Sequence, residues 1–81
     1  MHDVTDAHSF SSDNRELLQQ DQVCGCFCCL KIFRSKEIVQ WIPEGTGTAM
    51  CPYCGTDAVI GERSGYPITE DFLKKMQRYW F

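Results

Sequence analysis

The apolar positions of the chain follow one clear helical pattern near the C-terminus. Five side chains recur there at the spacing of one helix face: Phe72, Leu73, Met76, Tyr79 and Trp80. Thr69 precedes them as a candidate N-cap, and acidic residues occupy the first turn while basic residues occupy the last, as the helix dipole favours. The pattern predicts an amphipathic C-terminal helix whose apolar stripe packs on a small sheet.

Upstream of this helix the pattern changes to short extended segments separated by Gly and Pro. Residues 38–42 are rich in β-branched and aromatic side chains and end at Pro43, which predicts a strand. Residues 43–48 contain two glycines and read as a turn. Residues 57–60 fit either a short strand or a single helical turn. We therefore expect a small α+β fold with a short antiparallel sheet.

The N-terminal part lacks a sustained apolar pattern. Residues 1–11 predict a mobile acidic tail in which His2 and His8 are solvated. Ser12 or Asp13 can cap a short N-terminal helix of about two turns, whose apolar face consists of Leu17 and Leu18. We accordingly expect residues 12–81 to form a single domain.

Length and charge narrow the class of protein. A chain of 81 residues buries only about 60–65% of its unfolded surface, so a metal, disulfides or a partner is expected to supplement its core. The formal charge is −3, with the acidity concentrated in residues 1–22, which disfavours a dedicated nucleic-acid binder. No stretch approaches the length of apolar residues that a membrane span needs, and the polar, acidic residues 1–22 lead us to expect no secretory signal. These features predict a cytoplasmic protein with reduced cysteines.

Six cysteines carry the candidate chemistry, and four of them form two Cys-x-x-Cys pairs separated by 21 residues. Zinc prefers four soft ligands arranged as a tetrahedron, and two such turns supply them. In the second turn, Pro52 and Gly55 fit the backbone geometry that converging sulfur atoms require. The sequence predicts one structural Zn²⁺ with no position open for water, bound by Cys26, Cys29, Cys51 and Cys54.

Other interpretations of the cysteines remain open at this stage. The sequence CPYC also occurs in glutaredoxin-like redox enzymes, although a long helix does not follow it here. A disulfide scaffold is disfavoured without a secretory signal, and iron can occupy paired cysteines as zinc does. Cys24 and Cys28 are interpreted as ordinary thiols, with a redox- or metal-sensitive role as the alternative.

A resemblance extends over residues 26–81. The segments CFCCLKIF, EIVQWI, TAMCPYCGTDAVIG, SGYPIT, DFLKKM and YWF, in this order, resemble those of a family of small bacterial zinc-binding proteins. The resemblance implies a zinc-ribbon or treble-clef-like domain whose metal-binding turns contain Cys26, Cys29, Cys51 and Cys54. It implies no particular reaction.

Three functions are compared on these grounds. We favour a zinc-stabilised adaptor that binds a protein partner through exposed aromatic residues. The alternative is a nucleic-acid-binding zinc ribbon that uses basic residues after the first cysteine pair and along the last helix. A thiol- or metal-responsive sensor is a minor alternative. An enzyme is not expected, because both histidines fall in the predicted tail and no nucleophile–base set is present elsewhere.

Overall fold

The computed structural model describes residues 4–43 and 45–81, which form a small α+β domain. Two helices and five short strands follow one another along the chain: α1 (Val4–Ala7), β1 (Val23–Cys26), β2 (Ile32–Arg34), β3 (Trp41–Ile42), β4 (Thr48–Ala49), β5 (Val59–Gly61) and α2 (Glu70–Trp80). Single turns of 3₁₀ helix cover His8–Ser11, Ser35–Glu37 and Glu62–Ser64. Among the described residues, none of the helices has the length and apolar character needed to cross a membrane.

The strands form two antiparallel sheets. In the larger sheet, β1 lies between β2 and β5, with Gly25 opposite Ile32 on one side and Ile60 on the other. The smaller sheet pairs β3 with β4. Residues 57–60 therefore contribute to a strand rather than to a helical turn. The strand predicted over residues 38–42 is realised only at Trp41–Ile42, and one further hydrogen bond of 3.1 Å runs from the N–H of Met50 to the carbonyl of Gln40. Ile38 instead closes the preceding 3₁₀ turn, because its N–H donates to the carbonyl of Ser35.

The C-terminal helix is confirmed, including its cap. The hydroxyl of Thr69 accepts a hydrogen bond of 3.2 Å from the backbone N–H of Phe72. Phe72, Leu73 and Met76 are buried, whereas Tyr79 extends largely into solvent. The predicted apolar stripe thus belongs to the core over its first two turns and is partly exposed over its last one.

Gly25 permits helix α2 to pack closely on the central strand. A Cβ atom at this position would lie 2.7 Å from Cδ1 of Leu73, closer than two carbon atoms can approach. Leu73 is fully buried against this gap in the strand. A side chain at position 25 would push the helix away from the sheet, so glycine is required here by packing.

The N-terminal segment corrects two predictions. The described residues of the predicted mobile tail, 4–11, are helical, and Ala7 and Ser11 are buried in the domain. Residues 1–3, and with them His2, lie outside the described part of the chain. His8 is half-buried rather than solvated, with its ring centroid 4.1 Å from that of Trp80. Small side chains at positions 7 and 11 let a segment with little apolar bulk pack against the core, which a search for periodicity does not detect.

The short helix predicted from Ser12 onwards does not form. The N-terminal helix is α1 instead, and residues 15–18 form a turn after Asp13, whose φ is +49°. The turn is held by Asn14, which is 2% exposed. Its amide donates to the carbonyls of Phe10 and Val59 and accepts from the N–H of Ala49, at 2.9–3.0 Å. One helical hydrogen bond remains in the turn, from the N–H of Leu18 to the carbonyl of Asn14 at 2.9 Å, and the Asn14 side chain joins the turn to the rest of the domain.

The docking of the N-terminal segment is tested by Ala7→Asp. The substitution places an unpaired carboxylate in a fully buried position, so we expect the free energy of unfolding to fall by roughly 3 kcal/mol or more. Asp6→Ala, at the exposed neighbouring position, is the control and is expected to change stability by at most about 0.5 kcal/mol. Urea unfolding of both variants measures the difference, and equal stabilities would show that the segment does not dock.

Candidate metal centre

The structure brings four of the six cysteines together at one end of the larger sheet. The Sγ atoms of Cys26, Cys29, Cys51 and Cys54 all lie within 4.8 Å of one another. Two contacts between the pairs are shorter, since 3.6 Å separates Cys26 from Cys54 and also Cys29 from Cys51. These are the four cysteines that the sequence analysis selected, and their donor atoms converge on one point.

The first pair lies in the turn between β1 and β2. Cys26 is the last residue of β1, and the chain then folds back so that the N–H of Leu30 donates to the Cys26 carbonyl at 2.8 Å. The N–H of Cys26 donates to the carbonyl of Lys31 at 3.0 Å. The N–H of Cys28 points at the Cys26 sulfur, 3.3 Å away. The turn therefore presents both of its outer sulfur atoms and supplies a backbone donor to one of them.

The second pair repeats the same hydrogen bonds at the equivalent positions. The N–H of Gly55 donates to the Cys51 carbonyl, and the N–H of Cys51 donates to the carbonyl of Thr56, both at 2.9 Å. The N–H of Tyr53 lies 3.4 Å from the Cys51 sulfur. Two segments of different sequence thus adopt one turn geometry, and they face each other across the cluster.

The residue after each pair has a left-handed backbone. Gly55 has φ = +76°, as the sequence analysis expected, and Leu30 has φ = +66° at the matching position. A leucine in this conformation is strained, since only glycine enters the left-handed region without a steric cost. Leu30 tolerates the strain because its side chain packs against the core. The sequence gives no signal for this, as leucine does not favour such a turn.

The ionisation of the thiols differs across the cluster. Burial raises the pKa of Cys26 far above its usual range and raises that of Cys51 as well. At Cys54 burial also acts to raise the pKa, but hydrogen bonds from Thr56 and from two neighbouring thiols outweigh it and lower the pKa to about 6. The protein alone therefore stabilises a thiolate at Cys54 and disfavours thiolates at Cys26 and Cys51 at neutral pH.

These features fit a tetrahedral metal ion. Zinc–sulfur bonds of about 2.3 Å place the sulfur atoms of a regular tetrahedron about 3.8 Å apart, close to the two 3.6 Å contacts. A divalent cation at the centre would offset the cost of holding buried thiolates, and the backbone N–H donors would share their charge. The four cysteines can hold a metal ion, and the soft donor set suits zinc or iron rather than calcium or magnesium.

The two remaining cysteines lie outside the cluster. Cys24 is fully buried in the middle of the sheet, and burial raises its pKa to about 12. Cys28 lies between the two outer sulfurs of its turn, half-buried, and its Sγ accepts a hydrogen bond of 3.6 Å from the Thr56 hydroxyl. Neither thiol is in the group of converging donors, in agreement with their interpretation as ordinary thiols.

Two supporting contacts were missed by sequence reasoning. The side-chain amide of Gln77 on α2 donates to the carbonyl of Cys28 at 2.8 Å and so ties the helix to the first turn. The N–H of Phe27 donates to the carbonyl of Ala58 at 3.0 Å, which joins the first turn to the segment after the second one. Both bonds join residues that are far apart in the sequence, so no local pattern of residues predicts them.

Comparison with known proteins adds no further constraint on the site. No protein-family model, no curated protein and no solved structure matches the chain.

Proposed function

We propose that the chain is a structural zinc-binding protein in which one Zn²⁺ joins the two cysteine turns. The convergence of four sulfur atoms from two turns of the same geometry carries the proposal. Four protein ligands occupy all coordination positions of a tetrahedral ion and leave none for water or substrate, as in structural rather than catalytic zinc sites. The proposal accordingly assigns the protein no enzymatic reaction. It also adopts zinc in preference to iron.

A zinc-ribbon-like arrangement goes with this proposal. The first cysteine turn joins two paired strands, and the second precedes β5, which returns to pair with β1. Both metal-binding turns are therefore anchored to one sheet. The resemblance to small bacterial zinc-binding proteins agrees with this arrangement, and membership of that family and a cytoplasmic location belong to the same proposal.

We propose an adaptor role, in which the metal-stabilised domain binds a protein partner. Large apolar side chains are exposed at several described positions, and three of them are consecutive at the end of α2: Tyr79, Trp80 and Phe81. Aromatic residues are enriched at the centres of protein interfaces. Exposed aromatic surface on a domain whose chemistry is confined to a closed site supports binding rather than turnover.

Nucleic acid is the less favoured partner because two candidate phosphate-binding residues are engaged with acids. Arg34 forms an ion pair of 2.9 Å with Asp21, and Lys74 forms one of 3.0 Å with Glu70. Phosphate binding would have to compete with these carboxylates. Charge pairing of this kind lowers the local positive potential on which non-specific nucleic-acid binding depends.

Affinity capture from lysate distinguishes the two partners. Zinc-loaded protein is immobilised, exposed to lysate with and without nuclease, and washed at about 50 mM and about 200 mM salt. The adaptor proposal predicts a defined protein that is retained under all four conditions. Retention of nucleic acid that is lost at the higher salt concentration, with no protein surviving nuclease treatment, would contradict it.

Zinc binding is expected to release protons, which makes the affinity depend on pH. The pKa values of Cys26 and Cys51 are raised, so both are protonated at pH 7, as cysteines in an unfolded chain are. The ion must displace at least these two protons. The apparent affinity should therefore fall by at least about a hundredfold for each pH unit of acidification near neutrality. Calorimetry in buffers of different ionisation enthalpy counts the protons, and release of fewer than two would contradict the prediction.

A further inference from the structure

A second site candidate lies beside the cysteine cluster. The N-terminal segment, the chain after the second cysteine turn and the end of α2 enclose a half-open cavity of about 250 Å³. Phe27 and Ala58, both buried, are among its lining residues, as are the larger side chains of His8, Trp80 and Phe81. The cavity forms only because residues 8–11 pack against the domain. A mobile tail, as predicted for these residues, would not produce it.

Four of the nine residues that line the cavity carry aromatic rings, and these rings contact one another. The ring centroid of His8 lies 4.1 Å from that of Trp80 and 5.9 Å from that of Phe27, and Phe27 lies 5.8 Å from Phe81. The four rings thus form a continuous series along the cavity. The face of an aromatic ring carries partial negative charge and attracts cations that shed their water readily.

The polar groups of the cavity add to this preference. Asp57 supplies a carboxylate, while Ser11, Ser12 and Thr56 supply hydroxyl groups, and no lysine or arginine is among the described residues that line the cavity. Asp57 and Ser12 also border a neighbouring cavity of about 400 Å³, to which Asp13 contributes a second carboxylate. The negative charge is therefore placed at the boundary between an aromatic-lined cavity and its extension.

We propose that the aromatic-lined cavity binds an alkylammonium cation, as a free quaternary ammonium compound or as a methylated lysine side chain. Aromatic rings that border the cavity, together with one carboxylate, are a favourable environment for such a cation. An anion would be repelled by the carboxylate of Asp57, and a neutral ligand of the same shape would gain no electrostatic attraction from it. The site goes beyond the structural metal and uses none of its ligands.

The test compares choline with 3,3-dimethylbutan-1-ol, which has the same shape without the charge. Zinc-loaded protein of verified metal content is titrated at pH 8, and the indole and ring signals of the cavity are followed by NMR. We expect choline to bind with a millimolar dissociation constant and the neutral alcohol to bind at least about tenfold more weakly. Equal binding of the two compounds, or binding of neither, would overturn the proposal while leaving the metal site intact.

Substitutions assign the binding to the cavity. Asp57→Asn and Trp80→Leu are each expected to weaken choline binding by about tenfold, because one removes the carboxylate and the other removes an aromatic face. Trp80→Phe keeps a ring and should retain most of the affinity. Asp71→Asn, at an exposed position in the first turn of α2, is the charge control and should bind as the unmodified protein does. Unchanged binding in both Asp57→Asn and Trp80→Leu would overturn the assignment.

A peptide arm separates the two sources of the cation. A short peptide that contains trimethyl-lysine is compared with its unmethylated form and with choline. Tighter binding of the methylated peptide than of choline identifies a protein ligand, and the reverse order identifies a free compound. Either order supports an alkylammonium site, whereas preference for the unmethylated lysine over both would contradict the aromatic mode of binding.

Discussion

Replacement of Cys29 by serine is expected to leave the chain largely unfolded, and replacement of the adjacent Cys28 is expected to leave it folded. Cys29 belongs to the four converging sulfur atoms, and Cys28 does not. Structural zinc contributes about 10–16 kcal/mol of apparent binding free energy, which exceeds the net stability of most domains of this size. A serine hydroxyl is a poor ligand for zinc, so Cys29→Ser loses most of that contribution.

Cys28→Ser is a matched control because it also replaces one sulfur atom by oxygen, in the same turn. Its Sγ is half-buried and accepts a hydrogen bond from Thr56, a role that a serine oxygen also performs. NMR dispersion and the bound metal of both variants give the comparison, and Cys51→Ser or Cys54→Ser should behave as Cys29→Ser does. Native dispersion in Cys29→Ser would show that the fold does not depend on four-sulfur ligation.

The second large effect is expected at Asn14. Its side chain satisfies two carbonyls and one N–H from three separate segments, and it is buried. Asn14→Leu leaves three backbone groups without partners, at about 1–3 kcal/mol for each, so the free energy of unfolding should fall by at least about 3 kcal/mol. Denaturant unfolding measures the change at a fixed concentration of free zinc, since bound metal adds to the apparent stability.

Gln19→Leu is the control for this substitution. Position 19 is exposed in the same stretch of chain, so the substitution should change stability by at most about 0.5 kcal/mol. If the two variants proved equally stable, Asn14 would not be the residue that holds the N-terminal segment, β4 and β5 together.

The cysteine cluster and the C-terminal helix could be predicted from the sequence because both depend on residues that are close together in the chain. Hydrogen bonds within a stretch of six residues form the turn that holds each cysteine pair. In the second turn, Pro52 and Gly55 make this geometry predictable from the sequence. The helix is predicted by its capping threonine and by apolar positions at helical spacing. Both predictions rest on interactions whose partners are neighbours in the chain, so the pattern of residues contains them.

The structural features that the sequence did not predict depend on contacts between residues far apart in the chain. Ala7 and Ser11 are buried because small side chains fit against the core, which leaves no apolar pattern to detect. The segment predicted to be a short helix is held by the Asn14 side chain, which bonds to residues 35 and 45 positions away. The strand predicted over residues 38–42 is shortened to Trp41 and Ile42, which pair with Ala49 and Thr48 of β4. In each case tertiary contacts override the local preference of the segment.

The central claim is that one zinc ion joins the two cysteine turns, and elemental analysis of the purified protein tests it most directly. Protein with native NMR dispersion, purified without added metal, is predicted to contain one equivalent of zinc for each chain. One equivalent of iron, with the colour of an iron–thiolate site, would contradict the identity of the ion. Well-folded protein with substantially less than one equivalent of any metal would contradict the account as a whole.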